Sequence, residues 1–201
     1  MLEPHLPQRD HQMIRVVPVI GVPASGKSTI FRKLISRLQG SVKPKSLKYG
    51  TVRGYIFDLH KVIVLGVYDS DPFGGTDRLS MAVSPEVQKL ISALNKKKEY
   101  DGWTMTWEGD RLASGALFEY VKAQGCLDEV VCIEARPEDI EKRQKLRSNK
   151  QDPRWRAGRE SKVNNLCSRY DVKKLKNSTS DQLDEAVDFL RRRLVSKIGI
   201  E

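Results

Sequence analysis

The chain opens, after a polar stretch, on a short apolar run: Val16, Val17, Val19 and Ile20. Ile30, Phe31, Leu34, Ile35 and Leu38 then recur at helical spacing, so the pattern predicts a buried strand followed by an amphipathic helix. Thr51 to Phe57 and Val62 to Tyr68 are rich in β-branched and aromatic residues and are joined by Asp58-Leu59-His60-Lys61, which predicts a hairpin. Ser84-Pro85-Glu86 supplies a capping serine, a proline for the first helical position and an early acid. Val87, Leu90, Ile91 and Leu94 give that helix its apolar face. Trp103 to Trp107 alternates like a strand, Leu112 to Lys122 reads as a helix, and Val130 to Ile133 is an apolar strand. Val172 to Leu175 is a weaker strand, and Thr179-Ser180-Asp181-Gln182 is a capping box before a helix with Leu183, Ala186, Val187, Leu190 and Leu194 inward. Strands alternating with helices predict an α/β fold, with a mostly parallel sheet and helices on both faces.

The turn between the first strand and helix adds chemistry to this outline. Gly21-Val22-Pro23-Ala24-Ser25-Gly26-Lys27-Ser28 is a complete GxxxxGK[ST] loop in the strand–loop–helix setting that gives the pattern its meaning. Such a loop turns backbone N–H groups toward a polyphosphate, and the following helix adds the positive end of its dipole. The expected ATP contacts are Gly21, Pro23, Ala24, Ser25, Gly26, Lys27, Ser28 and Thr29, with the Lys27 ammonium on the β- and γ-phosphates and the Ser28 hydroxyl on Mg²⁺. Pro18 is an irregularity, because it removes one ladder N–H from a strand expected to be central.

Acids fall at the carboxyl ends of predicted strands, where open α/β sheets bind ligands: Asp69 after Tyr68, and Glu108 after Trp107. Glu108 is expected to hold Mg²⁺ with Ser28, supported by Asp110; a solvated acid at a strand–helix junction is the plainer alternative. In Asp69-Ser70-Asp71-Pro72-Phe73-Gly74-Gly75-Thr76-Asp77-Arg78, Asp77 is the first choice and Asp69 the second for the base that accepts a proton from an acceptor hydroxyl. Arg78 and Thr76 would contact the acceptor and Phe73 could stack on it, while an Asp/Gly turn with a surface ion pair is the plainer alternative.

Between Arg136 and Lys162 stand ten Lys or Arg against five acids. Arg143 and Arg147 share one helical face and would steady the migrating phosphoryl group, whose charge is spread over three oxygens. Gln151-Asp152-Pro153 breaks that helix, and residues 154–159 read as a mobile flap, so an Arg-rich lid over about 136–162 is expected.

Composition bounds the class. The 201 residues fit one domain, read as a loose tail over 1–13 and a kinase domain over 14–201. No apolar run is long enough to cross a membrane, no secretory leader is evident, and the three cysteines suit a reducing cytoplasm. No obligate protein partner is indicated. The net charge of +10 attracts polyanions and gives weight to basic clusters at Lys43-Lys45-Lys48, Lys96-Lys97-Lys98 and Arg191-Arg192-Arg193, each of which alone reads as a solvated face.

Strand–GxPxSGKS–helix, a later strand ending in Glu108-Gly109-Asp110-Arg111, and Ile133-Glu134-Ala135-Arg136-Pro137-Glu138 with Arg143 and Arg147 resemble the nucleotide-kinase branch of P-loop proteins over about residues 14–195. Thr76-Asp77-Arg78-Leu79-Ser80-Met81-Ala82 is similar to the Asp-Arg segment of thymidylate kinases, which contacts the acceptor nucleotide, and the phosphate loop also resembles that of polynucleotide kinases. The combination resembles bacteriophage DNA kinases that phosphorylate 5-hydroxymethyluracil in DNA on the route to hypermodified thymidines. Pro23-Ala24 departs from the acidic-Gly-x-Asp-Gly loop of thymidylate kinases, which argues against free dTMP. The resemblance implies a P-loop NTPase fold of the nucleotide-kinase type, ATP and Mg²⁺ as cofactors, and DNA containing 5-hydroxymethyluracil as substrate. A flipped base would need a stacking partner, for which Trp103, Trp107, Trp155, Tyr55 and Phe73 are candidates, although Trp103 and Trp107 also fit a core. The alternatives are a kinase of free nucleosides or nucleotides, a kinase of polynucleotide 5′-hydroxyl ends, or a nucleotide-dependent switch without an acceptor.

Overall fold

A computed structural model describes residues 12–68, 74–146 and 152–195. Its strands are β1 (Arg15–Ile20), β2 (Lys45–Tyr49), β3 (Val52–Phe57), β4 (Val62–Leu65), β5 (Thr104–Glu108), β6 (Val130–Glu134) and β7 (Val172–Lys176). Its helices are α1 (Lys27–Gln39), α2 (Val83–Leu94), α3 (Gly115–Ala123), α4 (Pro137–Leu146), α5 (Pro153–Arg169) and α6 (Ser180–Leu194). The strands form one sheet in the order β2-β3-β4-β5-β1-β6-β7. From β4 to β7 every pairing is parallel, and the β2-β3-β4 meander adds an antiparallel edge. This is the expected α/β architecture.

Both faces of the central strands are apolar because both are covered. Val17, Val19, Val62, Val64, Val131 and Ile133 pack under α1 and α6. The alternate residues Val16, Ile20, Ile63, Leu65, Met105, Trp107 and Cys132 pack under α2, α3 and α5. Arg37 of α1 ion-pairs with both Asp184 and Asp188 of α6, tying the helices of one layer together.

Pro18 is accommodated by a gap in the ladder. β1 meets the chain before β6 at Val16↔Leu127 and resumes only at Val19↔Val131, so the missing N–H falls where no β6 partner is paired. The hydroxyl of Thr106 donates to the Val17 carbonyl at 2.7 Å, satisfying a second group in that stretch.

The hairpin, the α6 capping box and most strands lie close to where the periodicity predicts them. The cap of α2 does not: the helix begins at Val83, Ala82 is the N-cap with no side-chain bond, and Ser84 lies inside the first turn. The α3 helix starts at Gly115 rather than Leu112, because the Ser114 hydroxyl accepts from Leu117 N–H. Residues 154–159, expected as a flap, belong to the seventeen-residue helix α5, which starts on an Asp152 cap with Pro153 at its first position. Strand β2 is a further addition. Lys45 and Lys48, read only as a basic cluster, pair with Ile56 and Arg53 on a sheet edge, where exposed lysines discourage further strand pairing.

Candidate functional site

The phosphate loop leaves β1 at Ile20, crosses the carboxyl ends of the central strands and enters α1 at Lys27. Ala24 (φ 67°) and Gly26 (φ 92°) both adopt left-handed backbone, which turns the loop back on itself. The Lys27 ammonium lies over this loop, 2.8 Å from the Gly21 carbonyl and 3.0 Å from that of Val22. Ser25 is fully buried beneath it and Thr29 faces solvent, whereas Gly21, Pro23, Ala24, Gly26, Lys27 and Ser28 line an open cleft of about 570 Å³.

Glu108 ends β5 and faces that cleft while only 2 % exposed. Burial pushes its carboxyl up to about 7; Lys27 pulls it down, Asp77 raises it, and the hydroxyls of Ser28 and Tyr68 also favour the charged form. Its Oε1 has no hydrogen-bond partner of good geometry among the described residues, and the buried Tyr68 hydroxyl lies near the same carboxylate. The Tyr68 phenol is held well above its ordinary value, first by burial and then by Glu108. A buried carboxylate oxygen without a donor, beside Lys27 and Ser28, is a donor set that suits a hard divalent cation such as Mg²⁺. The backbone closes tightly over it. Gly75 (φ 96°) passes so near Glu108 Oε1 that a side chain there would collide with it.

Asp77 sits in a single 3₁₀ turn, Thr76–Arg78. Its Oδ1 accepts from the backbone N–H of Asp110 at 2.9 Å and of Arg111 at 3.2 Å, so the carboxylate is fixed at the cleft wall. Thr76 is fully buried and donates to the Glu108 carbonyl at 2.8 Å, which makes it a brace between the acceptor loop and β5. Arg78 is exposed and does not line the cleft. The candidates Asp69 and Phe73 in this loop, and Arg147 in the basic segment, lie outside the described residues.

Two helices supply the basic side. Arg143 of α4 donates from Nη2 to the Asn177 carbonyl at 2.7 Å, and its Nη1 approaches the carbonyls of Ser25 (3.3 Å) and Ala24 (3.4 Å). Asn177 itself is 4 % exposed and donates from Nδ2 to the Ser25 carbonyl at 2.8 Å. Together they hold the phosphate loop from its outer side; a side chain at Gly26 would collide with that Asn177 amide. Asn177 has no motif to mark it in the sequence, and only its position just after β7 brings it to the loop.

On α5, Arg159 pairs with Asp110 at 2.9 Å and Lys162 reaches the same carboxylate at 3.0 Å and the Asp110 carbonyl at 2.9 Å. Asp110, expected to support a metal, therefore holds α5 against the β5 end of the cleft. Trp155 is on this wall too, with the Arg159 guanidinium 5.1 Å from its ring centre. A second, smaller cavity of about 270 Å³ opens at the ends of β6 and β7, lined by Ala135, Arg136, Ser178, Thr179 and Gln182 among others.

Several expected ligand contacts are absent from this assembly. Trp103 and Trp107 are 7 % and 0 % exposed and belong to the core, so neither can stack on a ligand. Tyr55 lies against Tyr68 and accepts from its backbone N–H. The three basic clusters do not converge on the cleft. Lys45 lies on the β2 edge and pairs with Asp58. Lys96 to Lys98 precede β5 and Arg193 pairs with Asp128 and Glu129 ahead of β6, at the opposite ends of the parallel strands from the phosphate loop. Among the described residues no helix is long and apolar enough to cross a membrane.

No protein-family model matches the chain, and no curated protein matches it. Solved structures do resemble its fold. A sugar kinase from Janibacter sp. HTCC2649 is 12 % identical with a TM-score of 0.46, covering 88 % of this chain and 94 % of its own. TT1252 from Thermus thermophilus is 20 % identical with a TM-score of 0.44 over 92 % and 100 % of the two chains. The shikimate kinase of Acinetobacter baumannii, solved with shikimate, is 13 % identical with a TM-score of 0.39 over 94 % and 97 %. The order of parts in this chain is itself that of a P-loop α/β protein: a central parallel strand, a GxxxxGKS loop and a helix, flanked by helices on both sheet faces.

Proposed function

We propose that this protein is an ATP- and Mg²⁺-dependent phosphotransferase that acts on a hydroxyl group. The observation that carries the reading is one cleft lined by the phosphate-loop residues Lys27 and Ser28 and by the acids Glu108 and Asp77. The loop amides and the Lys27 ammonium bind the β- and γ-phosphates. Ser28 and Glu108 are the residues to hold Mg²⁺, which when bound neutralises developing charge on the phosphate oxygens. Asp77, fixed by two backbone donors, orients the acceptor hydroxyl and takes its proton through the oxygen not engaged in the turn. Arg143 keeps the loop in shape, and Arg159 and Lys162 can exchange Asp110 for phosphate oxygens. We assign the purine to the cavity at the ends of β6 and β7, and the cover of the triphosphate to the basic arm of α4 and α5 within the proposed lid of 136–162.

The finer proposal takes the acceptor as the hydroxymethyl group of 5-hydroxymethyl-2′-deoxyuridine in DNA. The motif resemblance and the net charge of +10 support it. A free nucleoside or nucleotide is the second reading, supported by the scatter of the basic clusters away from the cleft. The test is transfer of labelled γ-phosphate to oligonucleotides with internal 5-hydroxymethyluracil or thymine, to 5′-hydroxyl ends, and to free nucleosides and monophosphates. Label on the modified oligonucleotide that survives digestion to the nucleoside is expected, and Lys27→Ala should abolish it. Label on a free nucleotide or a 5′ end overturns the DNA-base reading. Transfer to none of them, or an active Lys27→Ala protein, overturns the phosphotransferase itself.

A further inference from the structure

Five large apolar side chains stand exposed among the described residues, and two of them, Met81 at 81 % and Trp155 at 38 %, line the same charged cleft. Packing does not require either to be there. The α5 helix reaches the core through Val163 and Leu166, well beyond Trp155 in its first turn. The α2 helix does so through Val83, Val87, Leu90, Ile91 and Leu94, all after Met81. Both side chains are nonetheless held by cations. The Arg159 guanidinium lies over the Trp155 ring, and Arg111, whose Nη2 bonds the Asp77 carbonyl at 3.0 Å, places Nη1 against the Met81 sulfur. An indole face held from one side and a polarisable thioether beside Asp77 are surfaces against which a flat π-system can stack.

We propose that Met81 and Trp155 grip a planar, nucleobase-like ring of the acceptor, with its hydroxyl turned toward Asp77. The fate of that hydroxyl rests on the phosphotransferase reading, but the binding of the ring does not. The guanidinium of Arg159 occupies one face of Trp155 and the ligand takes the other. Because base–aromatic stacking is sequence-tolerant, this grip sets the class of acceptor, a flat heterocycle, and not the identity of its neighbours.

The whole chain offers a direct probe, since Trp103 and Trp107 are buried and acrylamide-quenchable tryptophan emission therefore reports Trp155. Without nucleotide, 5-hydroxymethyl-2′-deoxyuridine or a single-stranded oligonucleotide carrying it should protect that emission from acrylamide, and glucose and shikimate should not. Calorimetry should find the same nucleoside bound about tenfold more weakly by Trp155→Leu, with Trp155→Phe close to the parent and both variants melting like it. Emission indifferent to the planar compounds, equal protection by glucose, or undiminished binding by Trp155→Leu would each overturn the proposal. Protection without phosphate transfer to any acceptor would leave the grip standing and remove the phosphotransferase reading.

Discussion

Glu108 is where a single residue has the largest consequence. A carboxyl buried to this degree, with one oxygen lacking a donor, is held near pH 7 by desolvation that Lys27 and two hydroxyls only partly offset. The folded protein thus binds a proton that the unfolded chain releases near pH 4.5. Stability falls as pH rises between those values, by about 3 kcal/mol for a shift from 4.5 to about 7. Urea denaturation of the metal-free protein and of Glu108→Gln should show this: the parent's advantage over the variant shrinks across pH 4.5–7 and is constant outside it. In the parent alone, Mg²⁺ with a nucleotide should release a proton near pH 7. A pH-independent difference between the two proteins would show that burial does not raise the Glu108 carboxyl.

At the scale of elements, the helices divide by what they cover. The α1 and α6 pair is buried against one sheet face and cross-linked by the Arg37 and Lys33 pairs with α6 acids. The α4 helix has no buried residue and α5 has two, so their position depends on polar contacts at Asn177 and Asp110. A helix without an apolar stripe gains little from burial and can be moved at small cost. The contrast is measurable. Thr179 caps α6 by accepting from Gln182 N–H at 3.2 Å, while the Gln182 side chain accepts from Ser178 N–H at 2.8 Å. Thr179→Ala should lower global stability by about 1 kcal/mol, read as a lower urea midpoint with an unchanged slope. A midpoint that does not move would mean that α6 frays there without consequence for the fold.

Across the whole molecule, the three basic clusters lie around the sheet and away from the cleft, whose own cations are Lys27, Arg111, Arg159 and Lys162. Lys96, Lys97 and Lys98 are exposed at the rim opposite the phosphate loop. Replacing all three with Gln should leave phosphate transfer and the salt slope of oligonucleotide binding unchanged to within one unit, since each phosphate contact contributes about that much. A slope reduced by two or three units would instead show that nucleic acid passes around the molecule to that rim, and would strengthen a DNA substrate.

The sequence by itself determined the parts whose physics is local. The GxxxxGKS turn between a strand and a helix is marked by glycines at two of its positive-φ positions, Gly21 and Gly26, and the 3.6 and 2 periodicities mark α1, α6 and the central strands through the faces they bury. Helix starts were legible where a side chain caps them, as at Thr179, and misread where the fold chose otherwise, as at Ala82 ahead of Ser84. Only the tertiary structure decided what depends on distance in sequence. It assigned Asp110 to hold α5, brought Asn177 beneath a loop some 150 residues away, sent Trp103 and Trp107 to the core and left Trp155 in the cleft. Those outcomes follow from which strand lies beside which. Sheet order is set by packing over the whole chain, so no window of residues contains it.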